Sequence, residues 1–206
     1  MRAIALTVLL ASPLLANAAA QNLVVNGGFE STAQANGTWN IYQNLPGWTG
    51  GVAGVELRNN VAGAALEGHN FVELDTTRNS SISQSINTTA GGHYVLSFAY
   101  SPRPGVASGS NQIEALWNGN SLGVFTATGG SLNTWSTYSF NVTGNGGPTS
   151  LLFRAIGASD SYGGSLDKVS LVTSAVPEPE TYAMMLAGLA GLGLMSRRKK
   201  SVALTK

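Results

Sequence analysis

The chain has 206 residues, of which only 10% are charged and 26 are glycine, and it contains no cysteine. That composition disfavours a helical bundle and favours many short strands joined by tight turns, while the lack of thiols excludes a disulfide framework, a thiol nucleophile and a cysteine-based metal site. The formal charge of +1 is unevenly spread: between Gln21 and Val176 five Lys/Arg stand against eight Asp/Glu, a net of −3, and without a basic cluster the region is a poor partner for nucleic acid.

In chain order, Met1 and Arg2 precede an apolar run from Ala3 to Leu15, and the small residues Ala16-Asn17-Ala18-Ala19-Ala20 follow. A charged start, an apolar middle and an Ala-x-Ala exit predict a secretory signal peptide over residues 1–20, cleaved after Ala18 or Ala20. The run is short of the roughly 20 apolar residues a membrane span needs, and polar Gln21-Asn22 ends it.

Residues 21–175 alternate apolar and polar positions over short stretches, which is the strand period. Strands are predicted near Leu23–Val25, Gly54–Leu57, Asn70–Asp75, Ser81–Ile86, His93–Tyr100, Ile113–Trp117, Leu122–Phe125, Trp135–Val142, Ser150–Ile156 and Leu166–Val172. In His93–Tyr100 the large residues Tyr94, Leu96, Phe98 and Tyr100 share one face and are expected in the core. Turn signals separate the strands, among them Gly27-Gly28, Gly91-Gly92, Asn118-Gly119 and Asn145-Gly146-Gly147-Pro148. Eight or more strands at this spacing, with no helical segment among them, predict an all-β, two-sheet antiparallel jelly-roll sandwich. No repeat of 20–50 residues is visible, which argues against a propeller or solenoid.

Residues 176–206 change character. Pro177-Glu178-Pro179 forms a stiff, donor-poor spacer, the run Ala183 to Ser196 is apolar and rich in Gly and Leu, and Arg197-Arg198-Lys199-Lys200 follows. The four cations are expected to stay cytoplasmic, leaving the sandwich outside. This order of parts resembles the PEP-CTERM sorting signal of Gram-negative bacteria. The resemblance implies processing near Pro177, Glu178 and Pro179 by an exosortase, only transient anchoring in the inner membrane, and delivery to the cell envelope, the outer surface or an extracellular matrix. A plain C-terminal anchor is the alternative, for which the hydrophobic helix is short.

The sandwich carries a second resemblance. Asn22-Leu23-Val24-Val25-Asn26-Gly27-Gly28-Phe29-Glu30 opens it, Leu45-Pro46-Gly47-Trp48 and Gly68-His69-Asn70-Phe71-Val72-Glu73-Leu74-Asp75 follow, and Leu166-Asp167-Lys168-Val169-Ser170-Leu171 closes it. These blocks resemble the galactose-binding-like jelly rolls of the domain-of-unknown-function-642 family and, more distantly, calcium-containing carbohydrate-binding modules. The distant resemblance implies a structural Ca²⁺ held by Glu30 and Asp167 with backbone carbonyls completing its oxygen shell. Lys168 stands where those modules often carry a second aspartate.

Sugar binding by such a fold calls for aromatic rings on which apolar sugar faces stack, beside polar groups that read hydroxyls. Trp48, His69, Tyr100, Arg103, Asn111 and Trp117 are the candidates, with Trp135 a further aromatic, although Trp and Tyr in strand patterns also serve as core. The loop Tyr100-Ser101-Pro102-Arg103-Pro104-Gly105 is the preferred ligand loop, because its prolines are expected to push Arg103 into solvent. Glu73 and Asp75, at i and i+2 on one strand face, lie roughly 7 Å apart, near a glycosidase spacing; no nucleophile elbow, phosphate loop or dinucleotide fingerprint accompanies them. The chain thus reads as an exported surface or exopolysaccharide-matrix protein with a non-catalytic module that binds polysaccharide. A purely structural matrix protein is the alternative, and a small glycoside hydrolase a lesser one.

Overall fold

The computed structural model describes residues 21–174 and 186–190. Twelve strands form two six-stranded antiparallel sheets. The first has the order β1-β4-β5-β12-β7-β10, built from Thr38–Tyr42, Val55–Asn59, Asn70–Glu73, Ser165–Thr173, His93–Ser101 and Ser136–Thr143. The second has the order β2-β3-β6-β11-β8-β9, built from Asn44–Leu45, Trp48–Gly50, Ser81–Thr88, Gly147–Ala155, Ile113–Trp117 and Asn120–Phe125. This is the two-sheet antiparallel jelly roll that the spacing of strands and turns predicts.

The core lies between the sheets. From the first come Val55, Leu57, Val72, Leu96, Phe98, Tyr100, Leu166 and Leu171, and from the second Trp48, Ile82, Ile113, Trp117, Leu151 and Phe153. Alternation in β7 does what period two requires: Tyr94, Leu96, Phe98 and Tyr100 are buried in that core. Phe98 sits at its centre, edge-on to Phe125 and Phe153 with ring centroids 5.0 and 4.9 Å away, geometries that aromatic quadrupoles favour.

Residues 23–25, expected as a strand, run beside β12 without forming a regular one. The Leu23 amide donates to the Leu171 carbonyl, but the Asn22 side-chain oxygen takes the Leu171 amide in place of a backbone partner. Gly27 is obligatory here, since a Cβ on it would lie 1.9 Å from the Val169 carbonyl oxygen. Three strands, β1, β2 and β3, escape the sequence pattern, and β1 forms an exposed edge of the first sheet.

The outer face of the first sheet is itself covered. Opposite Val55 and Leu57, the alternate β4 residues Glu56 and Arg58 point away from the core and pair in register with Glu73 and Phe71 of β5. Phe71 packs edge-on against Trp135, 5.8 Å between centroids, and the Trp135 indole nitrogen donates to the Ala64 carbonyl. The stretch after Asn60 therefore lies across this face. The chain from Thr173 onward forms a separate unit, of which residues 186–190 are helical. Among the described residues no helix is long and apolar enough to cross a membrane. The signal peptide expected over residues 1–20, Pro177, Glu178, Pro179 and the basic tail lie outside the described residues.

Candidate functional site

A groove opens where the β1 edge, the β4–β5 floor and two loops meet on that outer face. Strand register builds it: Trp39 is paired with Arg58 and Ile41 with Glu56, so the two apolar side chains of β1 rise beside the two charged side chains of β4. Trp39 is 49% exposed and Ile41 40%. Opposite them stands Tyr162, 48% exposed, on the loop before β12, where Gly163 and Gly164 let the chain press against the protein. A Cβ on Gly164 would fall 2.5 Å from the Tyr100 ring. The depression between these walls has a volume of about 280 Å³ and is also lined by Val61, Thr76, Thr77, Arg103 and Ser161.

Beneath it lies a network of buried ions. Glu73, fully buried, receives Arg58 at 2.7 Å and Arg103 at 3.0 and 3.1 Å, and its remaining capacity takes the Gly163 amide at 3.0 Å. Arg58, 2% exposed, also donates to Glu56. Burial pushes the Glu73 carboxyl up, to about 8, against the opposing pull of the Arg58 and Arg103 guanidiniums. Arg103 further donates to the Ser161 carbonyl at 3.3 Å, and its guanidinium lies 4.6 Å from the centre of the Tyr162 ring. Such a cation–π contact contributes about 0.5–2 kcal/mol depending on solvation. The floor thereby fixes the height and tilt of one aromatic wall.

The six residues expected to bind sugar separate into three groups. Arg103 is at the site, but it is turned inward onto Glu73, with its side chain 18% exposed, rather than pushed into solvent. Tyr100 and Asn111 are buried supports for its loop: the Tyr100 hydroxyl donates to the Asn111 carbonyl, the Asn111 side-chain oxygen accepts the Arg103 amide, and its amide group donates to Val106, Ala107 and Ala127 carbonyls. Trp48 and Trp117 are buried too, their indole nitrogens donating to the Asn26 and Thr143 carbonyls. Burial takes these four side chains out of contact with any dissolved ligand, because each ring or amide fills a gap between the sheets or behind a loop. His69 is exposed but lines no wall of the groove.

Trp39 and Tyr162 supply the aromatic walls instead. The signal for Trp39 is its two-residue spacing from Ile41 after the Asn36-Gly37 turn; for Tyr162 it is an aromatic just before a Gly-Gly pair, in a loop too short of apolar neighbours to bury it.

The expected calcium pair has a different role. One Glu30 carboxylate oxygen accepts the amides of His69 and Asn70, both at 2.7 Å. Asp167 accepts the amides of Leu66, Glu67 and Lys168, and burial pushes its carboxyl up to about 6. Both carboxylates thus face N–H donors, whereas Ca²⁺ needs six to eight oxygens, and Lys168 reaches the neighbouring Glu67 at 3.5 Å. This donor set does not fit a calcium shell. Among the described residues no group of three or more His, Asp or Glu gathers to hold a metal ion. Glu30 and Asp167 instead pin the two ends of residues 66–70, the continuation of the stretch that crosses the outer face.

Fold and site together define a galactose-binding-like jelly roll with a polar groove walled by aromatic rings. Solved structures share the fold: a family 16 carbohydrate-binding module at 15% identity, over 73% of this chain and 99% of that one, TM-score 0.51, and a family 61 module in complex with β-1,4-galactotriose at 19% identity, over 75% and 99%, TM-score 0.50. The family described as "Protein of unknown function (DUF642)" matches residues 22–172; the chain belongs to that family. The PEP-CTERM protein-sorting motif matches residues 175–200 and implies export, with exosortase processing, to the cell envelope of a Gram-negative bacterium. The multifunctional-autoprocessing repeats-in-toxin of Vibrio vulnificus is 33% identical over 155 residues, 73% of this chain. The chain spans only 3% of that toxin's length.

Proposed function

We propose that the protein is a non-catalytic carbohydrate-binding module of the cell surface or exopolysaccharide matrix, and that it holds polysaccharide in the Trp39–Tyr162 groove. The carrying observation is two half-exposed aromatic rings lining one depression above a buried network of Glu56, Arg58, Glu73 and Arg103. Rings of this kind give an apolar sugar face a place to stack, while the exposed Thr77 hydroxyl and the free edge of the Arg103 guanidinium can meet sugar hydroxyls. The kinship in fold with carbohydrate-binding modules, and the sorting motif that sends the chain outward, support the same reading.

The placement of the carboxylates supports binding without turnover. A glycosidase needs one carboxyl free to give a proton and another free to attack or to activate water. Glu73 is committed to two arginines, and Asp75 is fully buried with one oxygen accepting the amides of Asp160 and Ser161. Glu73, at the end of β5, and Asp75, just beyond it, act in this reading as two anchors, one for Arg103 and one for the loop bearing Tyr162.

A glycan array probed with the purified protein, and with Trp39→Ala and Tyr162→Ala, tests the proposal. Retention on at least one neutral or acidic polysaccharide is expected, lost in both variants and kept in Val124→Ala, a change on the exposed β9 edge of the other sheet. Silence across the array would favour a purely structural matrix protein, and release of shortened sugars would favour a hydrolase.

A further inference from the structure

We infer that the groove does not end at Tyr162 and that the module grips an internal stretch of a linear glycan rather than a chain end. This rests on the carbohydrate reading of the site. A second depression, of about 580 Å³, lies against the first and shares Arg103 and Tyr162 with it. The opposite wall is continuous as well, for Val61 borders the first depression and its chain neighbour Ala62 the second. Tyr162 and its arginine are therefore a rung between two subsites, with room for sugar on either side.

The two subsites differ in chemistry. The first is walled by the apolar Trp39 and Ile41. The second has no aromatic besides Tyr162 but contains Asp160, whose carboxylate accepts the Ser110 hydroxyl at 2.7 Å and the Tyr162 amide at 3.2 Å. Those bonds hold the carboxylate in place and leave acceptor capacity for a sugar hydroxyl, since an ionised carboxylate offers about four lone-pair sites. Stacking dominates on one side of the rung and hydroxyl reading on the other. Recognition of a chain end would call for a closed wall across one side of Tyr162; both depressions are open to solvent instead.

The test is calorimetric titration of the mature protein with three series of linear oligosaccharides, β-1,4-galacto-, cello- and xylo-oligosaccharides, each from mono- to hexasaccharide. For a series that binds, affinity is expected to climb by at least about tenfold, 1.4 kcal/mol, between the disaccharide and the hexasaccharide, and to be unchanged by reduction of the terminal sugar. Ala107→Trp, which fills only the second depression from an exposed position, is expected to remove that gain while leaving disaccharide binding intact; a melting curve verifies its fold. Binding that is independent of length, or abolished by reducing the end, overturns the two-subsite inference and leaves the carbohydrate reading standing. No binding by any series, together with a silent glycan array, overturns both.

Discussion

Replacing Arg58 by Met tests the physics of the groove floor. Arg58 is 2% exposed and bridges Glu56 and Glu73, themselves 5% and 0% exposed. Methionine fills much of the same volume, so the change removes charge and hydrogen bonds with little cavity. At pH 8.5 it leaves Glu56 without its ion-pair partner and Glu73 with Arg103 alone. Breaking a buried pair in this way costs about 3–5 kcal/mol, which for a domain of this size lowers Tm by roughly 6–20 °C. The loss should shrink at pH 5. Without Arg58, burial raises the Glu73 carboxyl further above its unfolded value of 4.5, so the native state binds more protons than the unfolded chain, and stability falls as pH rises through that window. At pH 5 Glu73 is protonated in both proteins, since it titrates near 8 even with Arg58 present; the extra loss from ionising Glu73 is therefore confined to pH above about 8, and the loss at pH 5 is the smaller of the two. Circular-dichroism melts of wild type and Arg58→Met at both pH values measure this. A loss under about 1 kcal/mol at pH 8.5, within the range of a surface pair, or a loss larger at pH 5, would show that the groove floor is not held by buried ion pairs.

Other expectations rest on the same geometry. Trp48→Ala and Trp117→Ala should each destabilise by about 3–5 kcal/mol, as large-to-small core changes do, while the fraction that remains folded retains glycan; weakened affinity in well-folded Trp117→Ala would return that ring to the binding surface. Chelation should leave Tm unchanged, whereas Asp167→Ala should destabilise by about 1–3 kcal/mol by removing the fully buried carboxylate that accepts the Leu66, Glu67 and Lys168 amides; a fall in Tm with chelator that is absent in Asp167→Ala would restore a calcium ion held by the native state. Arg103→Met, whose side chain is partly solvated, should cost less stability than Arg58→Met but weaken glycan binding more, since it frees Tyr162.

The fold is far more legible in the sequence than the site. Period-two alternation in β6, β7, β11 and β12 is a direct imprint of one face on the core, and Gly-rich turns mark their ends. Strand β1 leaves a weaker imprint: all but Tyr42 of its residues are exposed, because its inward side meets the sandwich only at an edge. The ring most suited to a ligand therefore lies in the strand with the faintest pattern. Tyr162 is hidden for a related reason, since its placement depends on Glu73, Asp75 and Arg103, distant in sequence and joined only by the fold. Asn111 and Tyr100 illustrate the opposite case. Their residue types suit sugar, yet the Arg103 loop needs interior donors and acceptors, and a polar side chain there serves backbone groups that burial would otherwise leave unpaired. The opening and closing motifs do mark Glu30 and Asp167 as a cooperating pair at the two ends of the domain, but a shared motif does not reveal whether a carboxylate faces carbonyls or amides.

The most direct test of the central claim is a map of amide chemical-shift changes as the isotope-labelled domain is titrated with a polysaccharide it retains. Changes are expected at Trp39–Ile41, Val61–Ala62, Arg103 and Ser161–Gly163, with the β8–β9 side of the other sheet silent. Changes centred on that opposite side, or on His69 and the Glu30 loop, would contradict that claim.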